Sequence, residues 1–187
     1  MKHLISSLIL SVSLLCFAHV DSAIAGEVSL GYGEGESRWF FPNRGGQLKT
    51  ESIRLTYIHD TGYQWNFFET HALKLELEAG MHYWRDPFLE DDKYGAILTP
   101  MWRYYVPIYD HALYLGGGIG ITYNSDDELI DRKLGSRLLF EDRLELGLIL
   151  FKKHRLSVSV NHYSNANIAD INHGVNYYFV NYGYRFN

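Results

Sequence analysis

Long stretches of this chain alternate apolar and polar residues with a period of two, and this pattern strongly constrains its fold. Residues 73–81 read Leu-Lys-Leu-Glu-Leu-Glu-Ala-Gly-Met, with one apolar face and one charged or small face. Such alternation is typical of β-strands, whose successive side chains point to opposite sides. It predicts eight strands, several longer than the five or six residues usual in soluble sheets, near residues 27–36, 50–59, 71–84, 94–105, 112–123, 135–150, 154–164 and 175–186.

The two faces of these strands separate apolar residues from charges. One face collects Val28, Leu30, Ile53, Leu55, Leu73, Leu75, Leu77, Leu113, Leu115, Ile119, Ile121, Leu138, Phe140, Leu144, Leu146 and Leu148. The other collects Arg54, Lys74, Glu76, Glu78, Arg137, Glu141, Arg143, Glu145 and Arg185. Side chains fill the interior of an eight-stranded barrel, so charges there would pair with one another.

The composition places this barrel in a membrane. Aromatic residues make up 16% of the chain, with 15 Tyr and 4 Trp, as in the interfacial girdles of outer-membrane proteins. The predicted fold class is therefore all-β, an eight-stranded antiparallel transmembrane β-barrel of the bacterial outer membrane. A periplasmic β-sandwich is the alternative.

The first 25 residues have the features of a secretory signal peptide. Lys2 precedes a mostly apolar stretch, 4–20, and Ala23-Ile24-Ala25 fits a small-x-small cleavage site. Cleavage would leave a barrel domain of residues 26–187 without a thiol, because the single cysteine, Cys16, lies in the removed segment. An uncleaved anchor helix is the alternative.

The lengths of the connections orient the barrel. Segments 37–49, 85–93, 124–134 and 165–174 are polar and long, as extracellular loops are, whereas 106–111 and 151–153 are short, as periplasmic turns are. Segment 60–70 is longer than a periplasmic turn should be. With both termini in the periplasm, the strand 154–164 ends at the outer surface of the membrane.

A candidate catalytic pair lies at that outer end. His162 and Ser164 are two residues apart, so their side chains share the apolar face of the strand. Ester hydrolysis needs a nucleophile, a base within reach and a group that orients the base. Ser164 and His162 can provide the first two, although two polar residues at the rim of a barrel need not be catalytic.

The motif around this pair resembles that of the outer-membrane lipid A 3-O-deacylases (PagL-type). The resemblance covers the size and strand count of residues 26–187, and it is concentrated in His162-Tyr163-Ser164-Asn165-Ala166 with Asn172, Gly174 and the last strand. It implies a serine esterase that removes the 3-O-linked acyl chain from lipid A of lipopolysaccharide in the outer leaflet.

The resemblance also assigns roles to individual residues. It makes His162 the base and Ser164 the nucleophile, with Asn165 and Asn172 as supporting residues near the oxyanion. The acidic residue of the family should lie twelve positions after the serine, where this chain has Asn176. Outer-membrane phospholipase A is similar in its triad, a His-x-Ser pair with an asparagine at this offset. No cofactor or metal site is implied, and the sequence leaves a calcium requirement open.

Strand register offers a second candidate for orienting the histidine. A tight turn at 151–153 would make the numbers of paired residues sum to about 304. Asp142 would then lie opposite His162 on the outward face, where an isolated carboxylate is costly in lipid. We therefore also consider Asp142 as a partner of His162.

Charge and composition limit the partners. The net charge of −5 leaves no basic patch for nucleic acid. The expected partners are lipid A or lipopolysaccharide as substrate and the surrounding outer-membrane lipid, and the sequence leaves a homodimer open. Two other functions also remain open, namely an outer-membrane phospholipase and a non-catalytic structural or adhesion barrel.

Overall fold

The computed structural model describes residues 26–36, 49–85, 92–129 and 132–186. The strands in this part of the chain are β1 Gly26–Glu36, β2 Lys49–Phe67, β3 His71–Arg85, β4 Lys93–Ile108, β5 His111–Asn124, β6 Glu128–Leu129, β7 Arg132–Lys133, β8 Leu138–Leu150, β9 His154–Ser164 and β10 Val175–Phe186. The signal peptide predicted at 1–25 and most of the loops predicted at 37–49 and 85–93 lie outside the described residues. No helix within the described ranges has the length and apolar character needed to cross a membrane.

Eight of these strands close into one antiparallel barrel. Its order is β1-β10-β9-β8-β5-β4-β3-β2, with β10 paired to β1, while β6 and β7 form a separate two-stranded ribbon. The predicted eight-stranded barrel is therefore confirmed. Each long strand pairs with its neighbours in the chain because short turns or loops join them.

The two ends of the barrel differ. Short turns connect strands at 68–70, 109–110 and 151–153, and the ribbon β6–β7 and the segment 165–174 lie at the opposite, long-loop end. The prediction of a connection at 60–70 is wrong, because β2 continues to Phe67. Its Asp-Thr-Gly sequence resembles a turn, but a register shift between Asp60 and Gln64 absorbs these residues within the strand.

The prediction that the sixth barrel strand starts at residue 135 is also wrong. That strand, β8, begins at Leu138, because the residues before it fold into the ribbon and its return segment. Arg137 is consequently exposed at the long-loop end rather than inside the barrel. Lys74 lies at the opposite end and pairs with Asp60 at 3.2 Å between Nζ and Oδ2.

Ion pairs fill the barrel interior. Arg103 is fully buried; it bonds Glu78, and its guanidinium nitrogens lie 2.7 Å from Oε2 of Glu76 and 3.0 Å from Oε2 of Glu145. The inward network comprises Glu27, Glu76, Glu78, Glu141, Glu145, Arg54, Arg103, Arg143, Arg155 and Arg185. Buried charges need such partners because desolvation is expensive. The lumen is thus filled by paired side chains of the described residues rather than open to a large ligand.

An aromatic cluster closes the interior near the long-loop end. Trp84 stacks on Tyr177 with ring centroids 5.4 Å apart, and Tyr163 meets Trp84 edge-on at 5.2 Å. The ribbon segment contributes two fully buried leucines, Leu129 and Leu134, to this cluster. Burial of apolar area against the aromatic rings therefore holds the ribbon over the barrel end.

Glycines in β5 allow a close approach to β4. A Cβ atom on Gly120 would lie 2.2 Å from Oγ1 of Thr99, and one on Gly118 would lie 2.2 Å from the carbonyl oxygen of Pro100. The sum of paired residue numbers is the same on both sides of the proline, since Leu98 pairs with residue 121 and residue 101 with Gly118. Pro100 therefore interrupts this pairing locally without a bulge.

The outward face gives a direct test of membrane insertion. Leu144, in the middle of β8, is 66% exposed, and Leu138 begins the same strand at the long-loop end. We expect Leu144→Lys to lower the free energy of unfolding by about 2–4 kcal/mol and Leu138→Lys by at most about 1 kcal/mol, because the cost of a lysine falls from the bilayer midplane to the interface. Urea unfolding in lipid vesicles measures both. Equal losses would contradict a transmembrane β8.

Candidate active site

Strand β9 places the predicted pair on the outside of the barrel. His162 and Ser164 are the last outward residues of the strand, above the exposed Leu156 and Val158. Two residues on one face of a strand have Cα atoms about 6.5–7 Å apart, a distance that a histidine side chain can bridge to a serine hydroxyl. The intervening Tyr163 points inward and is fully buried in the aromatic cluster. Because neighbouring residues of a strand point to opposite faces, His162 and Ser164 must point outward.

Asn176 holds the imidazole of His162. The two residues are direct partners in the pairing of β9 with β10, and Nδ1 of His162 lies 2.6 Å from Oδ1 of Asn176. An amide oxygen only accepts hydrogen bonds, so Nδ1 carries the hydrogen. In the neutral ring Nε2 is then unprotonated and can accept a proton. Asn176 is 0% exposed, so its position is fixed by packing.

Asp142 lies on the other side of the histidine. The pairing of β8 with β9 sets Asp142 opposite His162, and this confirms the register predicted from the 151–153 turn. The neighbours of Asp142 on the outward face include Ile119, its partner on β5, which is largely exposed. The outward face therefore brings Asp142, His162, Ser164 and Asn176 together on three adjacent strands.

The two predicted supporting asparagines lie in the loop after β9. The backbone N–H of Asn165 donates to Oδ1 of Asn172 at 3.1 Å, and Nδ2 of Asn172 donates to Oδ1 of Asn167 at 3.2 Å. Asn165 is buried, and its Nδ2 donates to the carbonyl oxygens of Leu134 and Ile171 at 2.8 and 2.6 Å. Both amide hydrogens of Asn165 are thus used to shape the loop, whereas Asn172 is only partly buried and uses one.

The backbone of this loop is strained where it meets the pair. Ala166 and Asn167 have φ values of 52° and 61°, in the left-handed region that residues with a Cβ rarely adopt. Gly174 has φ of 23°, and a Cβ atom there would lie 2.9 Å from Cε1 of His162. A glycine is therefore needed for the chain to pass directly against the imidazole.

Sequence reasoning missed one residue that supports the loop. Arg132, which lies in β7 and is 3% exposed, donates from Nη1 to the carbonyl oxygens of His173 and Gly174. Its segment was predicted only as a polar loop. The period-two alternation that identifies barrel strands does not predict a buried arginine outside them. The two leucines on either side of it, Leu129 and Leu134, are the one feature of the sequence that indicates a folded segment here.

The arrangement has the parts of a hydrolytic site. An alcohol nucleophile and an imidazole held through Nδ1 share one face. An amide orients the imidazole from behind, and an amide donor lies in the adjoining loop. These groups face outward at the end of an apolar surface. The site is thus suited to an amphiphilic ester that stays in the membrane.

Comparison with known proteins finds a matching family model and similar relatives. The family model described as lipid A 3-O-deacylase (PagL) matches residues 51–185. The chain is 29% identical over 183 residues to the lipid A deacylase PagL of Bordetella bronchiseptica, covering 95% of this chain and 93% of the relative. It is also 29% identical over 183 residues to that of Pseudomonas aeruginosa, covering 97% and 98%.

A solved structure shows the same fold. The crystal structure of the outer membrane enzyme PagL superposes with a TM-score of 0.73 at 26% identity, covering 84% of this chain and 97% of that one. The family model spans the strands that carry His162, Ser164 and Asn176. The chain therefore belongs to the lipid A 3-O-deacylase (PagL) family of outer-membrane β-barrels.

Proposed function

We propose that this chain is an outer-membrane serine esterase that removes the 3-O-linked acyl chain from lipid A. The observation that carries the proposal is the hydrogen bond between His162 and Asn176 on the outward face, in a chain that belongs to the lipid A 3-O-deacylase family. This bond leaves Nε2 of the imidazole as a base on the face that carries Ser164.

The reaction follows from these groups. Oγ of Ser164 attacks the carbonyl carbon of the 3-O-ester while Nε2 of His162 takes the hydroxyl proton. When the tetrahedral intermediate collapses, the bond between the acyl carbonyl carbon and the 3-oxygen of the sugar breaks, and His162 gives the proton to that oxygen, which leaves as the 3-hydroxyl group. Water, deprotonated by His162, then attacks the acyl-serine, and the fatty acid leaves as Ser164 is reprotonated.

The three asparagines near the pair have different roles in this proposal. Among the described residues the amide of Asn172 donates one hydrogen bond, to Asn167, and its second hydrogen is the donor proposed for the oxyanion. Asn165 supports the loop through Leu134 and Ile171. Asn176 orients His162 in the position of the family acid, without its charge.

The outward face explains how the substrate reaches the site. The interior is filled by ion pairs and aromatic rings, whereas Leu144, Val158 and Ile119 are exposed on the strands around the pair. The acyl chains of lipid A would stay in the membrane along these residues, with the ester at the height of Ser164. Export by the predicted signal peptide, 1–25, would deliver residues 26–187 to that membrane.

Asp142 is proposed as a charge partner of His162. A carboxylate opposite the imidazole stabilises the imidazolium that forms when Ser164 loses its proton. We expect Asp142→Asn to lower kcat about 2- to 5-fold, the effect of losing up to about 1 kcal/mol of attraction. Asp110→Asn, in the 109–110 turn at the other end of the barrel, is the control. An unchanged kcat and pH profile in Asp142→Asn would exclude this role.

Mass spectrometry of membrane lipids tests the whole proposal. Cells expressing the chain should contain lipid A that lacks one 3-hydroxyacyl group, and cells expressing Ser164→Ala should not. An amide in place of the family acid is the arrangement that resembles outer-membrane phospholipase A, so phospholipids are analysed in the same samples. Lysophospholipid without deacylated lipid A would favour a phospholipase instead, and no change in either lipid would favour a structural barrel.

A further inference from the structure

The segment before β8 is built onto the active-site loop. Three of its backbone or side-chain groups bond the segment 165–174. They are the guanidinium of Arg132, the carbonyl oxygen of Lys133, which accepts from the N–H of His173 at 3.3 Å, and the carbonyl oxygen of Leu134, which accepts from Asn165. The two segments come so close at Gly135 that a Cβ atom there would lie 2.0 Å from the carbonyl oxygen of Ile171. They therefore fold as one unit.

Arg132 is the only ionic group among these contacts. Its Nη1 donates to the carbonyl oxygen of His173 at 2.5 Å and to that of Gly174 at 2.6 Å. Hydrogen bonds from a charged donor are roughly twice as strong as those between neutral groups. One buried guanidinium thus holds two consecutive peptide groups immediately before β10.

These peptide groups lie against the catalytic histidine. Gly174 passes so close to His162 that a Cβ atom on it would be 2.9 Å from Cε1 and 3.3 Å from Nε2 of the imidazole. The ring is therefore confined between the amide of Asn176, which fixes Nδ1, and the backbone at Gly174. Moving this backbone would let the ring tilt and would displace Nε2 from Ser164.

We infer that Arg132 is a positioning residue for the esterase reaction, which holds the peptide groups of His173 and Gly174 so that Gly174 keeps the imidazole of His162 in its reactive orientation. The inference rests on the proposed function. Arg132 acts through the loop rather than on the substrate. It should therefore affect the chemical step more than substrate binding.

The ribbon that carries Arg132 is also held by contacts of its own, outside the segment 165–174. Leu129 and Leu134, on either side of it, are buried in the aromatic cluster, and the N–H groups of Leu134 and Gly135 donate to the carbonyl oxygen of Asp127. The ribbon is therefore fixed by its own contacts. A change at Arg132 should release the peptide groups of His173 and Gly174 without unfolding the ribbon.

The test is steady-state kinetics of the purified full-length barrel on lipid A in detergent micelles. We expect Arg132→Met to lower kcat about 10- to 100-fold with KM within about twofold, because small misplacements of catalytic groups have effects of this size. Arg132→Lys, which keeps a charged donor, should recover most of the loss. Arg137→Met, the same change at an exposed position of this segment, should keep the wild-type kcat.

A second readout separates positioning from folding. The rate at which a fluorophosphonate labels Ser164 should fall in Arg132→Met by the same factor as kcat, at a temperature where the barrel remains folded. An unchanged kcat, a loss confined to KM, or equal losses in Arg132→Met and Arg137→Met would overturn the inference. Activity retained in Ser164→Ala would instead overturn the proposed function, so the two failures are distinguishable.

Discussion

Ser164→Ala is expected to lower kcat for lipid A deacylation by at least about 10³-fold. The hydroxyl is the only nucleophile that the strand places beside His162 on the outward face among the described residues. Without it the acyl-enzyme cannot form, and only activation of water by His162 and the oxyanion donors remains. The measurement is the rate of fatty-acid release from lipid A by purified protein, at substrate concentrations well above KM.

A serine on the same strand provides the matched control. Ser159 points into the barrel, and its hydroxyl donates to Oδ1 of Asn161 at 2.8 Å. We expect Ser159→Ala to keep the wild-type kcat and to lose at most about 1.5 kcal/mol of stability. A fluorophosphonate should label the wild type and Ser159→Ala but not Ser164→Ala. Deacylation by Ser164→Ala at more than a few per cent of the wild-type rate would contradict the assignment.

The barrel could be predicted from sequence because its strands obey one rule over most of their length. Alternation places Glu76 and Glu78 inside and Leu144 outside, and a one-residue error would reverse every side chain of a strand. The rule fails where a strand is irregular. At 60–70 a turn-like Asp-Thr-Gly sequence lies within β2, since a shift in register can take up extra residues without ending a strand.

The site could be predicted as far as strand pairing determines it. The register of β8 against β9 follows from the 151–153 turn, so the position of Asp142 opposite His162 was predictable. The role of Arg132 was not predictable, because its contacts depend on how the ribbon β6–β7 packs over the aromatic cluster. Loop conformation depends on tertiary contacts that no short-range pattern encodes.

The placement of the site also explains why its support comes from loops. The interior ion pairs link different strands of the barrel, but their side chains point away from the outward face. An outward pair can be oriented only by residues on neighbouring strands, such as Asn176, or by the loop that folds back on it, such as Gly174. The proposed catalytic geometry therefore depends on the long-loop end rather than on the barrel core.

Asn176→Ala is expected to lower kcat about 10²- to 10³-fold with little change in KM. Loss of the 2.6 Å bond to Nδ1 frees the imidazole to rotate and to take the other tautomer, in which Nε2 carries the hydrogen and cannot accept a proton. The matched control is Asn181→Ala on the same strand. The amide of Asn181 donates to Oγ of Ser157 at a distance of 3.2 Å. This bond lies away from His162 and Ser164, so Asn181→Ala should keep the wild-type kcat.

Asn176→Asp separates orientation from charge. A carboxylate oxygen can accept the same bond from Nδ1, and it also stabilises the imidazolium that forms in the transition state. The substitution breaks no hydrogen bond of Nδ2, which has no partner among the described residues. We therefore expect Asn176→Asp to keep at least the wild-type kcat at pH 8. A wild-type kcat in Asn176→Ala would show that another residue orients His162. The double variant Asn176→Ala, Asp142→Asn would then test whether that residue is Asp142.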